Sequence, residues 1–161
     1  MRIISIDESN YSEVAAIYQE GLDTGIASFE TKAPIWEAWN ASHINHSRIA
    51  AIANDEMLGW AALSPTSSRC VYGGVGEVSV YIGASARGKG VGSFLLNELI
   101  RSSEEHGLWS LQSGVFPQNK GSVALHLKCG FRQIGYRERI GQRNGEWFDN
   151  LLFERRSKII Q

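Results

Sequence analysis

The stretch Glu77-Val78-Ser79-Val80-Tyr81-Ile82-Gly83-Ala84-Ser85-Ala86-Arg87-Gly88-Lys89-Gly90-Val91-Gly92-Ser93-Phe94-Leu95-Leu96 decides how the rest of the chain is read. From Val75 to Ile82 it reads as a strand, with Val78 and Val80 on one face and Glu77, Ser79 and Tyr81 on the other. Beyond the glycines, Val91, Phe94, Leu95, Leu99 and Ile100 recur at helical spacing. A helix start leaves backbone N–H groups unpaired and carries the positive end of the helix dipole. Arg87-Gly88-Lys89-Gly90-Val91-Gly92 therefore reads as an anion cradle, in which small residues let the backbone come close to phosphate. The plainer alternative is that the glycines only make a tight strand-to-helix turn.

Two common phosphate-binding patterns do not fit this turn. A P-loop would need a hydroxyl residue where Gly90 stands, and a dinucleotide fingerprint needs G-x-G-x-x-G where this chain has G-x-G-x-G.

Upstream, Arg2 to Ile6 alternates like a short strand. Asn10 or Ser12 can cap a helix carrying Tyr11, Val14, Ala15, Tyr18 and Leu22, and Pro34 suits the first turn of a second helix with Ile35, Trp36 and Trp39. Asn54-Asp55-Glu56 separates the apolar runs Ile49 to Ala53 and Met57 to Leu63, as a hairpin does. Downstream come a strand from Trp109 to Val115, a loop at Pro117, a helix from about Asn119 to Lys128 closed by Gly130, and two strands around Arg143-Asn144-Gly145. The order is βααββ, then βαβα, then ββ. That is an α/β (α+β) chain with a mixed, mostly antiparallel sheet and helices on both faces, read as a single domain over residues 1–161.

Composition narrows the function classes. The 161 residues carry 16 Lys+Arg against 17 Asp+Glu, a net charge of -1, which argues against nucleic acid or an anionic membrane as the main partner. No apolar run approaches the roughly 18 residues of a membrane span, and a cytosolic (cytoplasmic) location is expected. Cys70 and Cys129 lack metal-site spacing and are expected to be reduced thiols, with Cys129 acting as a small hydrophobe; no metal is expected.

The R-G-x-G-x-G pattern directly after a strand, followed by Asn119 and then His126-Leu127-Lys128-Cys129-Gly130-Phe131, resembles the GCN5-related N-acetyltransferase (GNAT) family. Five dispersed features are similar to its phosphinothricin and methionine sulfoximine acetyltransferase subgroup: Ala27-Ser28-Phe29-Glu30, the Trp36/Trp39 pair, Glu77 to Tyr81, Leu125-His126 and Gly145-Glu146-Trp147-Phe148-Asp149. The resemblance implies a sheet whose central strand pair splays apart, acetyl-CoA as co-substrate, and transfer to the amino group of an L-amino acid or analogue such as phosphinothricin or methionine sulfoximine. It also implies a homodimer. Alternatives are a non-catalytic acetyl-CoA-binding module, or an enzyme acting on peptide N-termini or aminoglycosides.

The same resemblance assigns residues. Val80, Tyr81 and Ile82 would bind the pantetheine and polarise the acetyl carbonyl through their backbone, while Arg87, Gly88, Lys89, Gly90, Val91, Gly92 and Ser93 would hold the pyrophosphate, with Asn119 and Lys128 as further cofactor contacts. Asn119 also reads as a helix cap, and Lys128 as a charge complementing a helix C-terminus. Glu77 would take the substrate ammonium proton, directly or through water; the plainer alternative is a solvated strand end or ion-pair member. His126 would act as acid or orienting donor, against the alternative of a structural histidine. Phe29, Glu30, Arg69, Tyr72, Glu77, Val78 and Ser79 would line the acceptor pocket. Gly73, Gly74 and Gly76 predict a flexible or bulged strand, giving a wider pocket or a closer backbone approach. Trp36, Trp39 and Trp147 are expected to be core or dimer contacts.

Overall fold

The computed structural model describes all 161 residues. Seven strands form one sheet in the order β1-β2-β3-β4-β5-β7-β6. They are β1 (Arg2–Ser5), β2 (Ile49–Ala53), β3 (Glu56–Pro65), β4 (Val75–Ile82), β5 (Ser110–Val115), β6 (Arg132–Arg143) and β7 (Glu146–Arg156). The helices are α1 (Tyr11–Asp23), α2 (Trp36–Ser42), α3 (Val91–Glu105) and α4 (Lys120–Lys128). Every neighbouring pair is antiparallel except β4 and β5, which α3 joins as a parallel crossover.

Local chemistry sets these boundaries. Asn54 and Asp55 take φ of 51° and 60°, the double left-handed geometry of a tight hairpin between β2 and β3. Asn119 caps α4 by accepting the Ser122 N–H at 3.2 Å. At α1 the cap moves upstream: Asp7 caps a preceding 3-10 turn, and Asn10 instead donates to the Ser5 carbonyl. Pro34 lies outside α2, where its carbonyl accepts the Tyr11 hydroxyl at 2.5 Å.

The core lies on both faces of the sheet. On one, Leu95, Leu96 and Leu99 of α3 pack against Leu63, Val78 and Leu111, with Cys129 and Phe131 completing that layer. On the other, Val14 and Ile17 of α1 and Trp39 of α2 pack against Trp60 and Ala62. Trp39 is fully buried and Trp147 about half exposed beneath the Arg139 guanidinium. Both cysteines are free.

The glycines before and within β4 do not bulge it. Gly76 holds regular register with Pro65 and Leu111. A Cβ at Gly74 would sit 2.0 Å from the Trp109 ring, and one at Gly76 would sit 3.0 Å from Leu108. The space these glycines release is filled by Trp109 and Leu108, so the expectation of a wider pocket is replaced by close approach. The bulges fall elsewhere, in β2–β3 and in β6, where register shifts between Arg137 and Gly141. Asp149 organises the second by accepting the Arg139 N–H at 2.7 Å and the Tyr136 hydroxyl.

Candidate active site

The parallel pairing of β4 with β5 stops early. Val75, Gly76 and Glu77 are matched with Ser110, Leu111 and Gln112, and beyond Glu77 the strands diverge while β4 stays paired with β3 through Ile82. From Val78 to Ile82, alternate backbone N–H and C=O groups of β4 that point away from β3 are left to an open cleft. This cleft, about 750 Å³, is walled by α1 and the following loop, by β4 and β5, by the glycine-rich turn and by α4.

The glycine-rich end has the geometry of an anion site. Gly88 and Gly90 take φ of 73° and 81°, and a Cβ at either would meet nothing within 4 Å, so the requirement for glycine is conformational rather than steric. Gly90 occupies the N-cap of α3 with no side-chain cap, and the first helical bond there is from Phe94 N–H to the Gly90 carbonyl. The N–H groups of Val91, Gly92 and Ser93 are thereby left for a ligand. Glu20 anchors the turn by accepting the Ala84 N–H at 2.8 Å, and Arg87 reaches back to the Ile82 carbonyl at 3.3 Å. Gly92 lets α4 close in: its Cβ would lie 3.2 Å from Leu125.

Strand alternation sorts the β4 side chains as the sequence suggests. Val78 and Val80 pack with the α3 layer and Tyr81 with the α1 layer. Glu77, at the point where β4 and β5 part, is exposed and borders the cleft. Tyr81 stacks on Trp60 at 5.2 Å and meets Tyr18 at a tilt with centroids 4.6 Å apart, and Gly21 is needed because a Cβ there would lie 2.5 Å from the Tyr81 ring. Burial pushes the hydroxyl pKa values of Tyr18 and Tyr81 up, and the nearby Glu30 charge adds to both. Both remain neutral hydroxyls.

His126 is buried between Phe131 and Phe153, with ring centroids 5.1 and 5.6 Å away. Its Nδ1 lies 2.7 Å from the Ser122 carbonyl, which can only accept, so Nδ1 carries the proton. Nε2 is left bare, buried and without a partner. Burial lowers the His126 pKa, which keeps the ring neutral. The one ring proton is thus committed to the Ser122 carbonyl, and the Nε2 lone pair is buried.

Of the sequence-assigned residues, Glu77 to Ile82, Arg87, Gly88, Gly90 to Ser93, Asn119, His126 and Lys128 all line this one cleft. Lys89 does not; it borders a shallow depression with Met1, Glu56 and Leu58. Nor do Phe29, Glu30, Arg69 and Tyr72 line the cleft. Phe29 is wedged against Phe116 and Phe148 at 4.7 and 6.3 Å, and Gly141 gives it room. Arg69 lies over Tyr72, with its guanidinium 5.5 Å from the ring centre. The wall also includes Tyr18, Thr24, Ile26 and Ser113, which sequence reasoning missed as site residues. Tyr18 shares the helical spacing of core residues; the resemblance points to the loop after α1 through Phe29 and Glu30, whereas its cleft-facing residues are Thr24, Ile26, Ala27 and Ser28.

Comparison with known proteins agrees with this architecture. Residues 12–131 match the Acetyltransferase (GNAT) family. The chain is 31% identical to a phosphinothricin N-acetyltransferase of Alcaligenes faecalis over 156 residues, covering 93% of this chain and 79% of that protein. It is 34% identical over 101 residues to an L-methionine sulfoximine/L-methionine sulfone acetyltransferase of Pseudomonas aeruginosa, covering 63% of this chain and 59% of that protein. The crystal structure of a GNAT superfamily phosphinothricin acetyltransferase from Sinorhizobium meliloti, in complex with acetyl-CoA, superposes with a TM-score of 0.87 at 26% identity, covering 96% of this chain and 87% of that one. A strand pair that parts over a glycine-rich helix start, within a chain matching over most of its length, makes this protein a member of the GNAT family and an acetyl-CoA-dependent N-acetyltransferase.

Proposed function

We propose that the protein transfers the acetyl group of acetyl-CoA to the primary amine of a small acceptor of the amino-acid type. The observation that carries the reading is the placement of Glu77 where β4 and β5 separate, on the cleft that the open β4 edge and the anion-binding turn share. The relatives' names supply the first acceptors to assay, phosphinothricin and methionine sulfoximine.

The residues present fit acetyl-CoA. The N–H groups at the start of α3, with Arg87 and Lys128 lining the same cleft, suit a pyrophosphate, and the free edge of β4 suits an extended amide-bearing arm. When bound, acetyl-CoA supplies an activated acyl group as a thioester. Glu77 accepts the ammonium proton, directly or through one water, so that the nitrogen lone pair is free to attack. Backbone N–H groups between Val80 and Ile82 are fixed by pairing with β3 and stabilise the charge that develops on the acetyl oxygen. His126, neutral and with its Nδ1 proton committed to the Ser122 carbonyl, is a positioning residue on the cleft wall and not the acid for the departing thiol.

Glu77→Gln tests this reading. Turnover at saturating substrates should fall by roughly 10²–10⁴, with acetyl-CoA affinity within about twofold of the parent. Unchanged turnover across pH would remove Glu77 from the chemistry. Homodimerisation is part of the same proposal, supported by Ile134, Tyr136, Ile140 and Trp147 standing half exposed on the terminal strands β6 and β7.

A further inference from the structure

Two residues of β6 reach across the molecule to the loop that forms part of the acceptor wall. This loop follows α1, and its Thr24, Ile26, Ala27 and Ser28 line the cleft. Gly25 faces the other way. A Cβ built on it would lie 3.5 Å from Arg143 Nη1, and Arg143 Nη2 donates to the Leu22 carbonyl at 2.8 Å. At the far end of the loop Phe29 packs onto Gly141, where a Cβ would lie 2.9 Å from the Phe29 ring. Gly141 and Arg143 stand two apart on one strand and so belong to the same face. The last residues of β6 therefore seat the loop from behind at both of its ends.

The register of β6 puts them there. Its bulge between Arg137 and Gly141, held by Asp149 accepting the Arg139 N–H at 2.7 Å, resets the alternation of faces, and Gly141 to Arg143 then pair regularly with Phe148 to Glu146. Glu146 stands directly opposite Arg143 yet forms no ion pair with it, and no other carboxylate does. The guanidinium is directed to the loop, with its Nε buried and unpartnered.

Stability alone does not account for this contact. The Leu22 carbonyl already accepts the Gly25 N–H at 3.1 Å, so it is satisfied without Arg143, and an unpartnered buried Nε is unfavourable. The loop's own hydrogen bonds are local: the Thr24 hydroxyl donates to the Gly21 carbonyl at 2.6 Å, and Ser28 Oγ accepts the Glu30 N–H at 3.1 Å. Local bonds set the shape of the loop and leave its position on the sheet to the contacts with β6.

Resting on the acetyltransferase reading above, we infer that Arg143 and Gly141 are positioning residues for the acceptor, holding the loop in the place where its side chains meet the substrate opposite Glu77. A loop that occupies this place for a fraction of the time weakens the apparent acceptor affinity by that fraction, and saturating acceptor restores it. The effect therefore belongs to the acceptor KM rather than to kcat. Acetyl-CoA, held by the start of α3 and the free edge of β4, is independent of the seat.

The intact protein tests this, with phosphinothricin, methionine sulfoximine and the common L-amino acids screened first and the best acceptor of the parent carried forward. Arg143→Met keeps the apolar stem and removes the donors. Its acceptor KM should rise by roughly tenfold or more, with kcat within about threefold and the acetyl-CoA Kd within about twofold of the parent. Arg143→Lys, which offers the Leu22 carbonyl a donor again, should bring the KM back to within about threefold. Gly141→Ala, whose methyl displaces the Phe29 ring, should raise the acceptor KM in the same way and carries the test if Arg143→Met does not fold. An acceptor KM that stays within about tenfold of the parent's, no recovery by lysine, or an acetyl-CoA Kd that rises in step with the acceptor KM overturns this inference and leaves the acetyltransferase reading standing. A parent protein that binds acetyl-CoA and acetylates none of these acceptors overturns both.

Discussion

Replacing Gly90 by alanine isolates what the start of α3 contributes. The residue sits at φ 81°, and a Cβ built there meets nothing within 4 Å. Alanine therefore brings no clash, only the cost of an L-residue in the left-handed region, about 1–2 kcal/mol. That cost can appear in two places. If the turn keeps its shape, the whole penalty falls on folding, and at about 2–4 °C per kcal/mol for a chain of this size the melting temperature drops by about 2–8 °C. If the turn relaxes to negative φ, the melting temperature is spared. The N–H groups of Val91, Gly92 and Ser93 then swing away from the phosphate position, and acetyl-CoA affinity falls by about 5–30-fold, the same energy read as binding.

Gly107 supplies the control. It follows α3 at its other end, with φ of 80° and nothing within 4 Å of its added Cβ. Gly107→Ala should lower the melting temperature by a similar amount and leave acetyl-CoA affinity unchanged, because its turn does not border the cleft. Thermal melting and calorimetric titration with acetyl-CoA read both quantities on each variant. If Gly90→Ala moves neither by the equivalent of about 0.5 kcal/mol, left-handed strain at this position is not real. If Gly107→Ala weakens acetyl-CoA as much as Gly90→Ala does, the cleft assignment of the α3 start fails.

Two further predictions concern the frame. Gly74→Ala places a methyl 2.0 Å from the Trp109 ring, so Trp109 must move, and overpacking costs about 1–3 kcal/mol; the checks are the denaturation midpoint and tryptophan emission, and an unchanged midpoint would mean that the ring has room to turn away. His43, His46 and His126 all have pKa values lowered by burial, so the unfolded chain binds their protons more readily than the folded one. Their sign is therefore destabilising as pH falls below the unfolded value of about 6.5, and the melting temperature should be lower at pH 5.5 than at pH 7.5; equal values would show that these rings take up protons without penalty.

What the sequence revealed was whatever local periodicity or turn chemistry determines. The hairpin at Asn54-Asp55 follows from two residues that tolerate positive φ, and β4 was placed from Val75 to Ile82 by alternation ending in glycine. The cofactor end of the site was legible for the same reason, because a glycine-rich turn feeding a helix leaves its mark in consecutive residues. The acceptor end was legible only on β4, where Glu77, Val78 and Ser79 were expected and do border the cleft. Its wall comes from Tyr18 on α1, from Thr24 and Ser28 in the next loop, from Glu77 on β4 and from Ser113 on β5, side chains with no shared local pattern. Phe29 and Arg69 carried the sequence expectation, but long-range packing gave one to Phe116 and the other to Tyr72.

The glycines ahead of Glu77 show how a correct sequence signal can point to the wrong cause. Missing side chains on a strand mean either empty space or space already occupied, and the sequence cannot distinguish these because the occupant lies more than thirty residues away, at Leu108 and Trp109. Occupied space has a functional consequence that empty space would not. Trp109 N–H and Ser110 N–H both bond to the Gly74 carbonyl, so the base of the β4–β5 pair is locked immediately below the residues where the strands part. A locked base fixes the angle of the opening, and with it the width of the cleft between the free edge of β4 and β5 beyond Glu77. Preorganisation of this kind suits a reaction whose barrier is lowered mainly by holding an amine and an acyl carbon in line. Gly74 and Trp109, which touch neither, are therefore expected to influence kcat through geometry, so Gly74→Ala should lower kcat while leaving the KM for the acceptor nearly unchanged.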